Sequence, residues 1–162
     1  MIQNNKFLAD SNSEISIREI QEVDLDEFKI KLLDFYTEIG HRMDVDNLDL
    51  ILRNFLKKGL IILAIDDNTA AIVGFISCIE SIAIYANGDF GIVNELYIIP
   101  SFRSKKIGKK LINSVEEIAK NRNWSRLELD TPEVEKSEKT INFYKKEGFV
   151  IVGYRMKKVI SN

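Results

Sequence analysis

The chain has 162 residues, a length that fits one domain better than two. Apolar residues make up 45% of it and charged residues 30%, values typical of globular proteins that argue against a wholly disordered chain. A net charge of −2 argues against a general binder of nucleic acids or anionic membranes. The single Cys78 and the single His41 exclude an internal disulfide and a zinc site built from His and Cys.

Residues 1–14 are mostly polar and are predicted to form a flexible arm, whereas residues 15–162 are predicted to form one domain. The arm lacks the apolar core of a secretory signal peptide, and no apolar stretch approaches the length of a membrane span. The lone cysteine favours a reducing compartment. We therefore expect a cytoplasmic protein.

Hydrophobic periodicity predicts the elements of the first half of the chain. Leu25, Phe28 and Leu32 recur at intervals of three and four, which is typical of a helix. Two apolar runs flank the turn residues 66–69 and predict an antiparallel hairpin. In order, we expect a strand at residues 15–20, helices at 24–39 and 46–58, and hairpin strands at 60–65 and 71–79.

The second half continues with strands before it returns to helices. Residues 81–90 alternate around the turn dipeptide Asn87-Gly88, and Pro100 closes the next strand. Ser137 is a candidate N-cap and Gly148 a candidate left-handed C-terminal residue of the last helix. The predicted elements are a strand at 91–99, a helix at 107–118, a short strand at 126–129, a helix at 137–147, and a terminal hairpin of 149–152 and 156–160. Because the middle strands follow each other directly, the order predicts a mixed α/β (α+β) domain rather than a regular βαβ repeat.

The connection between the strand at 91–99 and the helix at 107–118 is strongly basic. A helix N-terminus presents free N–H groups and partial positive charge, so cations there cost stability unless an anion is bound. The sequence therefore predicts a pyrophosphate cradle, with a solvated basic helix start as the alternative. The repeated glycines of a Walker A loop and of a dinucleotide fingerprint are missing. The cations are Arg103, Lys105, Lys106, Lys109 and Lys110.

Two motifs in this half resemble those of the GNAT superfamily of acyl-CoA-dependent N-acyltransferases. Arg103, followed by Ile107 and Gly108, resembles the acyl-CoA signature of Arg or Gln, two residues, Gly, one residue, and Gly or Ala. Lys106 stands where the first Gly usually lies, and we expect a negative φ there because its Cβ disfavours the left-handed region. The second motif is Phe143-Tyr144, three residues, and Gly148-Phe149.

The resemblance implies a fold and a way of binding acetyl-CoA. It implies a central, mostly antiparallel twisted sheet of six to seven strands, flanked by about four helices, whose fourth and fifth strands splay apart. The pantetheine arm would pair with Tyr97, Ile98 and Ile99 in that gap. Ser137 replaces a frequent Asn that contacts CoA. The pyrophosphate would lie on the backbone of the residues that follow Arg103, namely Ser104, Lys105, Lys106, Ile107, Gly108 and Lys109.

Candidate catalytic groups follow from the chemistry of acyl transfer to an amine. An alkyl amine has a pKa of about 10.4, so it is mostly protonated at neutral pH and needs a base. The departing thiolate needs an acid. We assign Glu95 as general base and Tyr144 as general acid, both at positions that the resemblance places beside the thioester. The alternatives are a strand carboxylate paired with a lysine for Glu95 and an aromatic packed in the core for Tyr144.

The predicted function is that of an N-acetyltransferase, which transfers acetyl from acetyl-CoA to a primary amine by direct attack in a ternary complex. The acceptor is a small-molecule or protein amine that the sequence does not identify, and a homodimer is left open. No metal, nucleic-acid or membrane partner is expected. The alternatives are a non-catalytic CoA-binding regulatory domain and, with less support, a phospho-ligand or nucleic-acid binder that uses the basic loop.

Overall fold

A computed structural model describes residues 14–130, 137–153 and 156–160, so the predicted arm lies outside the described residues except for Glu14. Five strands and four α-helices form within them. The strands are β1 (Ile15–Glu19), β2 (Gly59–Asp66), β3 (Ala71–Ala83), β4 (Gly88–Ile98) and β5 (Leu127–Leu129). The helices are α1 (Leu25–Glu38), α2 (Leu48–Phe55), α3 (Ile107–Asn121) and α4 (Glu138–Lys146).

The strands form one sheet in the order β1-β2-β3-β4-β5. Each of the first four strands pairs antiparallel with the next along the chain. β2, β3 and β4 follow each other without an α-helix between them, as predicted. The neighbour of β4 on its other side runs parallel to it. Ser125 N–H donates to Asp89 O at 2.8 Å and Gly91 N–H to Arg126 O at 3.0 Å, so both chains advance in the same direction.

The β3–β4 hairpin is longer than the sequence pattern predicts. β3 continues to Ala83 and β4 begins at Gly88, with a single 3₁₀ turn between them. Asn87 and Gly88 adopt positive φ angles of 58° and 136°, which Asn tolerates and Gly adopts freely. The predicted turn dipeptide is therefore confirmed, and it closes the hairpin at the Ala83–Gly88 pair.

The predicted count of six to seven strands is not matched, because the two segments expected to form a terminal hairpin contain no strand within their described residues. A half-buried strand needs alternate side chains to pack against a core. Val150, Val152 and Met156 are instead 76%, 88% and 92% exposed. Tyr154, in the predicted turn, lies outside the described residues.

Apolar side chains cover both faces of the sheet. Phe28 and Leu32 of α1 pack with Leu52 of α2 against Leu63 and Phe75 on one face. Because side chains alternate along a strand, the neighbours of Leu63 point to the other face, and every residue of β2 after Gly59 is buried. The helix α3, with buried residues spaced by three and four, packs against β2, β3 and β4 on that face.

The described residues form two compact units, the first ending at Glu128 and the second beginning at Leu129. In the second unit, Ser137 occupies the N-cap position of α4 as predicted, but its side chain makes no capping hydrogen bond. Gly148 ends that helix with φ +91°, which confirms the predicted left-handed residue. No helix within the described part of the chain has both the length and the apolar character needed to cross a membrane.

Candidate functional site

Glu95 lies on the face of β4 that is covered by α1 and α2. The register pairs Ser77 with Glu95 and Cys78 with Val93, so Asn94 is an extra residue that bulges out of the ladder. Strict alternation would place Val93 and Glu95 on the same face, and the bulge separates them. Glu95 therefore shares its face with Tyr97, which belongs to the core cluster of α1 and α2.

Two hydroxyl groups hold the Glu95 carboxylate. Tyr36 Oη, on the last turn of α1, donates to Oε1 at 2.6 Å. Ser77 Oγ donates to Oε2 and accepts a hydrogen bond from the Glu95 backbone N–H at 3.1 Å. A carboxylate offers about four lone-pair sites, so each oxygen keeps capacity for a further partner. These contacts are with hydroxyls, not with the lysine of the alternative interpretation.

Tyr36 and Ser77 are not among the predicted site residues, although the sequence carries a signal for each. Tyr36 comes four residues after the buried Leu32, a spacing that places it on the sheet-facing side of α1. Ser77 is a polar residue inside an apolar strand and is only 2% exposed, so it needs a hydrogen-bond partner. Burial and the bond to Glu95 raise the pKa of Tyr36, which keeps its hydroxyl protonated as a donor.

The basic loop adopts a backbone that its sequence disfavours. Ser104 and Lys106 have φ angles of +63° and +62°, so the negative φ expected at Lys106 is wrong. The left-handed region costs a residue with a Cβ roughly 1–2 kcal/mol. The loop thus follows a path suited to the Gly of the family signature, although a lysine occupies the position.

The N-terminus of α3 lacks a side-chain cap from its N-cap residue. Lys106 is the N-cap residue and makes no side-chain capping bond, and the first turn of the helix holds no acidic residue. Lys105 Nζ lies 4.5 Å from the centre of the Phe102 ring. Free N–H groups, the helix dipole and nearby lysines together favour a bound anion.

Arg103 makes contacts away from this helix start. Its Nε donates to Ile98 O at 2.9 Å, and its Nη2 lies 2.7 and 2.6 Å from the two carboxylate oxygens of Glu38. Its guanidinium also lies 5.8 Å from the centre of the Tyr97 ring. The side chain therefore joins the end of β4 to the end of α1, and its charge is balanced by Glu38.

The end of β4 has an edge that β5 is too short to cover. β5 begins beside Gly91 and has only three residues, whereas β4 continues to Ile98. Ile99 N–H donates to Val73 O at 3.0 Å, so Ile99 faces β3 and the backbone groups of Ile98 face the opposite edge. Of the three predicted pantetheine partners, Ile98 therefore has its backbone N–H directed to the edge that β5 leaves uncovered, and its carbonyl accepts from Arg103 Nε. The backbone groups of Tyr97 and Ile99 face β3.

Comparison with known proteins decides the family. The chain matches the family model of the Acetyltransferase (GNAT) family over residues 20–149. The chain belongs to the GNAT acetyltransferase family. An uncharacterized N-acetyltransferase of Archaeoglobus fulgidus is 30% identical over 121 residues, which span 71% of this chain and 80% of that protein.

Solved structures of GNAT-type proteins share the fold. A Trypanosoma brucei acetyltransferase matches with a TM-score of 0.72 at 21% identity, over 91% of this chain and 100% of that chain. A ribosomal-protein-alanine N-acetyltransferase from Brucella melitensis matches with a TM-score of 0.76 at 22% identity, over 92% of this chain and 99% of that chain. The mixed α/β arrangement of strands and helices is therefore that of the GNAT fold.

Membership in the GNAT family implies acetyl-CoA as co-substrate, and the loop before α3 suits its pyrophosphate. The helix starts at Ile107 and Gly108 without a side-chain cap from Lys106, and left-handed residues and lysines precede it. Backbone N–H groups at a helix N-terminus and nearby lysines are groups that can bind a diphosphate. Within the described residues, no group of three or more His, Cys, Asp or Glu side chains is arranged to hold a metal.

Tyr144, the second predicted catalytic residue of this GNAT protein, lies in the second unit. Its ring packs 5.3 Å from Phe143 and 5.6 Å from Phe149, measured between ring centres. Burial raises the pKa of Tyr144 to about 12. The raised pKa keeps its hydroxyl protonated at neutral pH. The contacts of Tyr144 and Ser137 with acetyl-CoA stay predictions.

Proposed function

We propose that this protein transfers an acetyl group from acetyl-CoA to a primary amine by direct attack in a ternary complex. The observation that carries the proposal is the carboxylate of Glu95. It lies where the open edge of β4 begins and is held in one orientation by Tyr36 and Ser77. A fixed carboxylate beside a strand edge that suits pantetheine is the arrangement that acyl transfer to an amine requires.

The co-substrate would bind through the backbone. The N–H groups around Ile107 and Gly108 would hold the pyrophosphate, with Lys105, Lys106 and Lys109 supplying positive charge around it. The pantetheine arm would extend along the open edge at Ile98. Strand-like pairing and a helix N-terminus then fix both ends of the arm, which delivers the thioester near Glu95.

Glu95 would remove the proton that prevents the amine from attacking. The ammonium nitrogen gives its proton to a free lone pair of the carboxylate, directly or through water, and the neutral nitrogen attacks the thioester carbon. The bond from nitrogen to carbon forms, and the bond from carbon to sulfur breaks. The nitrogen then gives its second proton to solvent as the neutral amide forms, which balances the proton that the thiolate takes up and that solvent returns to Tyr144. Tyr144 would donate its phenolic proton to the departing thiolate, because a phenol with a pKa of about 12 is protonated at neutral pH.

A thiol-release assay with acetyl-CoA and a panel of primary amines tests the proposal. The panel contains a polyamine, an aminoglycoside, free amino acids and peptides with a free N-terminus, and each product is checked by mass spectrometry for one added acetyl group. Amine-dependent thiol release is expected for at least one member. CoA binding without release for any amine would favour the alternative of a non-catalytic CoA-binding regulatory domain.

A further inference from the structure

Tyr36 forms a hydrogen bond with Glu95 from the helix layer that covers the sheet. Ser77 is the cross-strand neighbour of Glu95, whereas Tyr36 reaches it from α1, 59 residues earlier in the chain. We propose that Tyr36 is a positioning residue, whose hydroxyl holds the Glu95 carboxylate in the orientation that accepts the proton of the amine. This inference rests on the proposed role of Glu95 as the base.

The carboxylate needs such a partner because a glutamate side chain has three rotatable bonds. Ser77 binds both the backbone N–H and Oε2 of Glu95, which ties that oxygen to its own strand. The plane of the carboxylate is then set by what holds Oε1, and Tyr36 Oη does so at 2.6 Å. Hydrogen bonds from two directions restrict the rotation that either bond alone would permit.

The last turn of α1 is itself anchored to β4 at a second point. Glu38, two residues after Tyr36, receives the guanidinium of Arg103, which also binds Ile98 O. The helix end that carries the Tyr36 hydroxyl is thus joined to β4 on both sides of Tyr97. A hydroxyl on an anchored helix end can hold a carboxylate in place, whereas one on a loose end would move with it.

A double-mutant cycle separates positioning from a general structural role. Tyr36→Phe, Glu95→Gln and the double variant are assayed by thiol release with acetyl-CoA and the amine of the panel that is turned over fastest. We expect Tyr36→Phe to lower kcat about tenfold in the parent enzyme and less than about twofold in the Glu95→Gln background. The KM for acetyl-CoA should not change, because Tyr36 does not contact the proposed cradle.

Tyr85→Phe is the matched control. Tyr85 Oη also lies within hydrogen-bond distance of a carboxylate, at 3.1 and 3.2 Å from the Glu128 oxygens, but it is at the tip of the β3–β4 hairpin. The kcat of the Tyr85→Phe variant should equal that of the parent. Tyr36→Phe should keep a parent-like melting temperature, because its ring still packs 5.0 Å from Phe35 and 5.3 Å from His41.

The outcomes distinguish this inference from the proposed function. Equal losses from Tyr36→Phe in both backgrounds, or no loss in the parent, would overturn the positioning role while Glu95 remains the base. Full activity of Glu95→Gln would overturn the role of Glu95 as base, and the inference with it, while acetyl transfer itself would stand. No turnover with any amine would overturn the proposed function. A loss of kcat that Tyr36→Phe causes only in the parent background supports both the positioning role of Tyr36 and the role of Glu95 as base.

Discussion

Two polar regions of the molecule differ in whether their groups have hydrogen-bond partners within the protein. One is the carboxylate cluster of Glu95, Tyr36 and Ser77, and the other is the basic loop at residues 103–109. In the cluster, every oxygen of Glu95 already has a hydroxyl partner. In the loop, two residues with side chains adopt left-handed backbone and the helix N–H groups lack a side-chain cap. The group that we propose as the base is thus held by hydrogen bonds within the protein, whereas the proposed anion site has no side-chain cap.

One ion pair joins the two regions. Arg103 begins the loop, and Glu38 ends the helix that carries Tyr36. Both side chains are 44% exposed, so the pair contributes little to the free energy of folding. The pair instead fixes position, because the contact of Arg103 Nη2 with both Glu38 oxygens holds the end of α1 beside β4.

The largest effect is expected when the carboxylate of the cluster is removed. Glu95→Gln keeps the shape of the side chain but cannot accept a proton, so turnover should fall roughly 10²–10⁴-fold. The loss should shrink at high pH, where free amine accumulates. Thiol-release kinetics across pH measure both, with CoA affinity as the control that should not change. A pH–rate profile identical to that of the parent would show that the amine loses its proton elsewhere.

Binding of CoA should stabilise the protein mainly through the contacts of its pyrophosphate with the basic loop. CoA at a hundredfold excess over its Kd should raise the free energy of unfolding by about 2.7 kcal/mol. Pantetheine, which lacks the pyrophosphate, should bind much more weakly and have a far smaller effect at the same concentration. Thermal or chemical denaturation with each ligand measures the difference. Equal stabilisation by both would contradict the pyrophosphate assignment.

Tyr144→Phe tests the proposed general acid. The change removes one oxygen and preserves ring packing, so the melting temperature and CoA binding should stay near those of the parent. Turnover should fall at least about tenfold, or about 1.4 kcal/mol in the barrier. Because the pKa of Tyr144 is about 12, the parent should retain this acid through the whole range in which the amine titrates. Full turnover by the Phe variant would remove Tyr144 from the mechanism.

The smallest effect is expected for Lys106→Gly, which removes backbone strain and should change the free energy of unfolding only slightly. Lys106→Gly removes the left-handed penalty of about 1 kcal/mol but makes the unfolded chain more flexible by a similar amount. The free energy of unfolding should therefore change by less than about 1 kcal/mol. Lys110→Gly, a matched change within the helix, should instead destabilise by about 1 kcal/mol. Equal destabilisation in urea by both variants would show that the loop is not strained at Lys106.

Local patterns in the sequence were sufficient for much of the fold. The spacing of apolar residues predicted α1, α2, α3 and the antiparallel strands, because each pattern reflects which face of an element is buried. The last helix was predicted from its end signals, Ser137 and Gly148. The Asn87-Gly88 turn and the left-handed Gly148 were likewise readable from single residues. The terminal hairpin was predicted wrongly, since the apolar side chains of Val150, Val152 and Met156 are exposed and form no strand.

Only the tertiary structure decided how the candidate site is assembled. The bulge at Asn94 turns Glu95 toward α1, and it depends on register with β3, which no local pattern encodes. Tyr36 and Glu95 meet across 59 residues of chain, a contact set by packing of the helix on the sheet. Lys106 has a left-handed backbone in the connection from β4 to α3, although its Cβ favours a negative φ. The sequence determined which chemical groups were available, and long-range packing determined which of them touch.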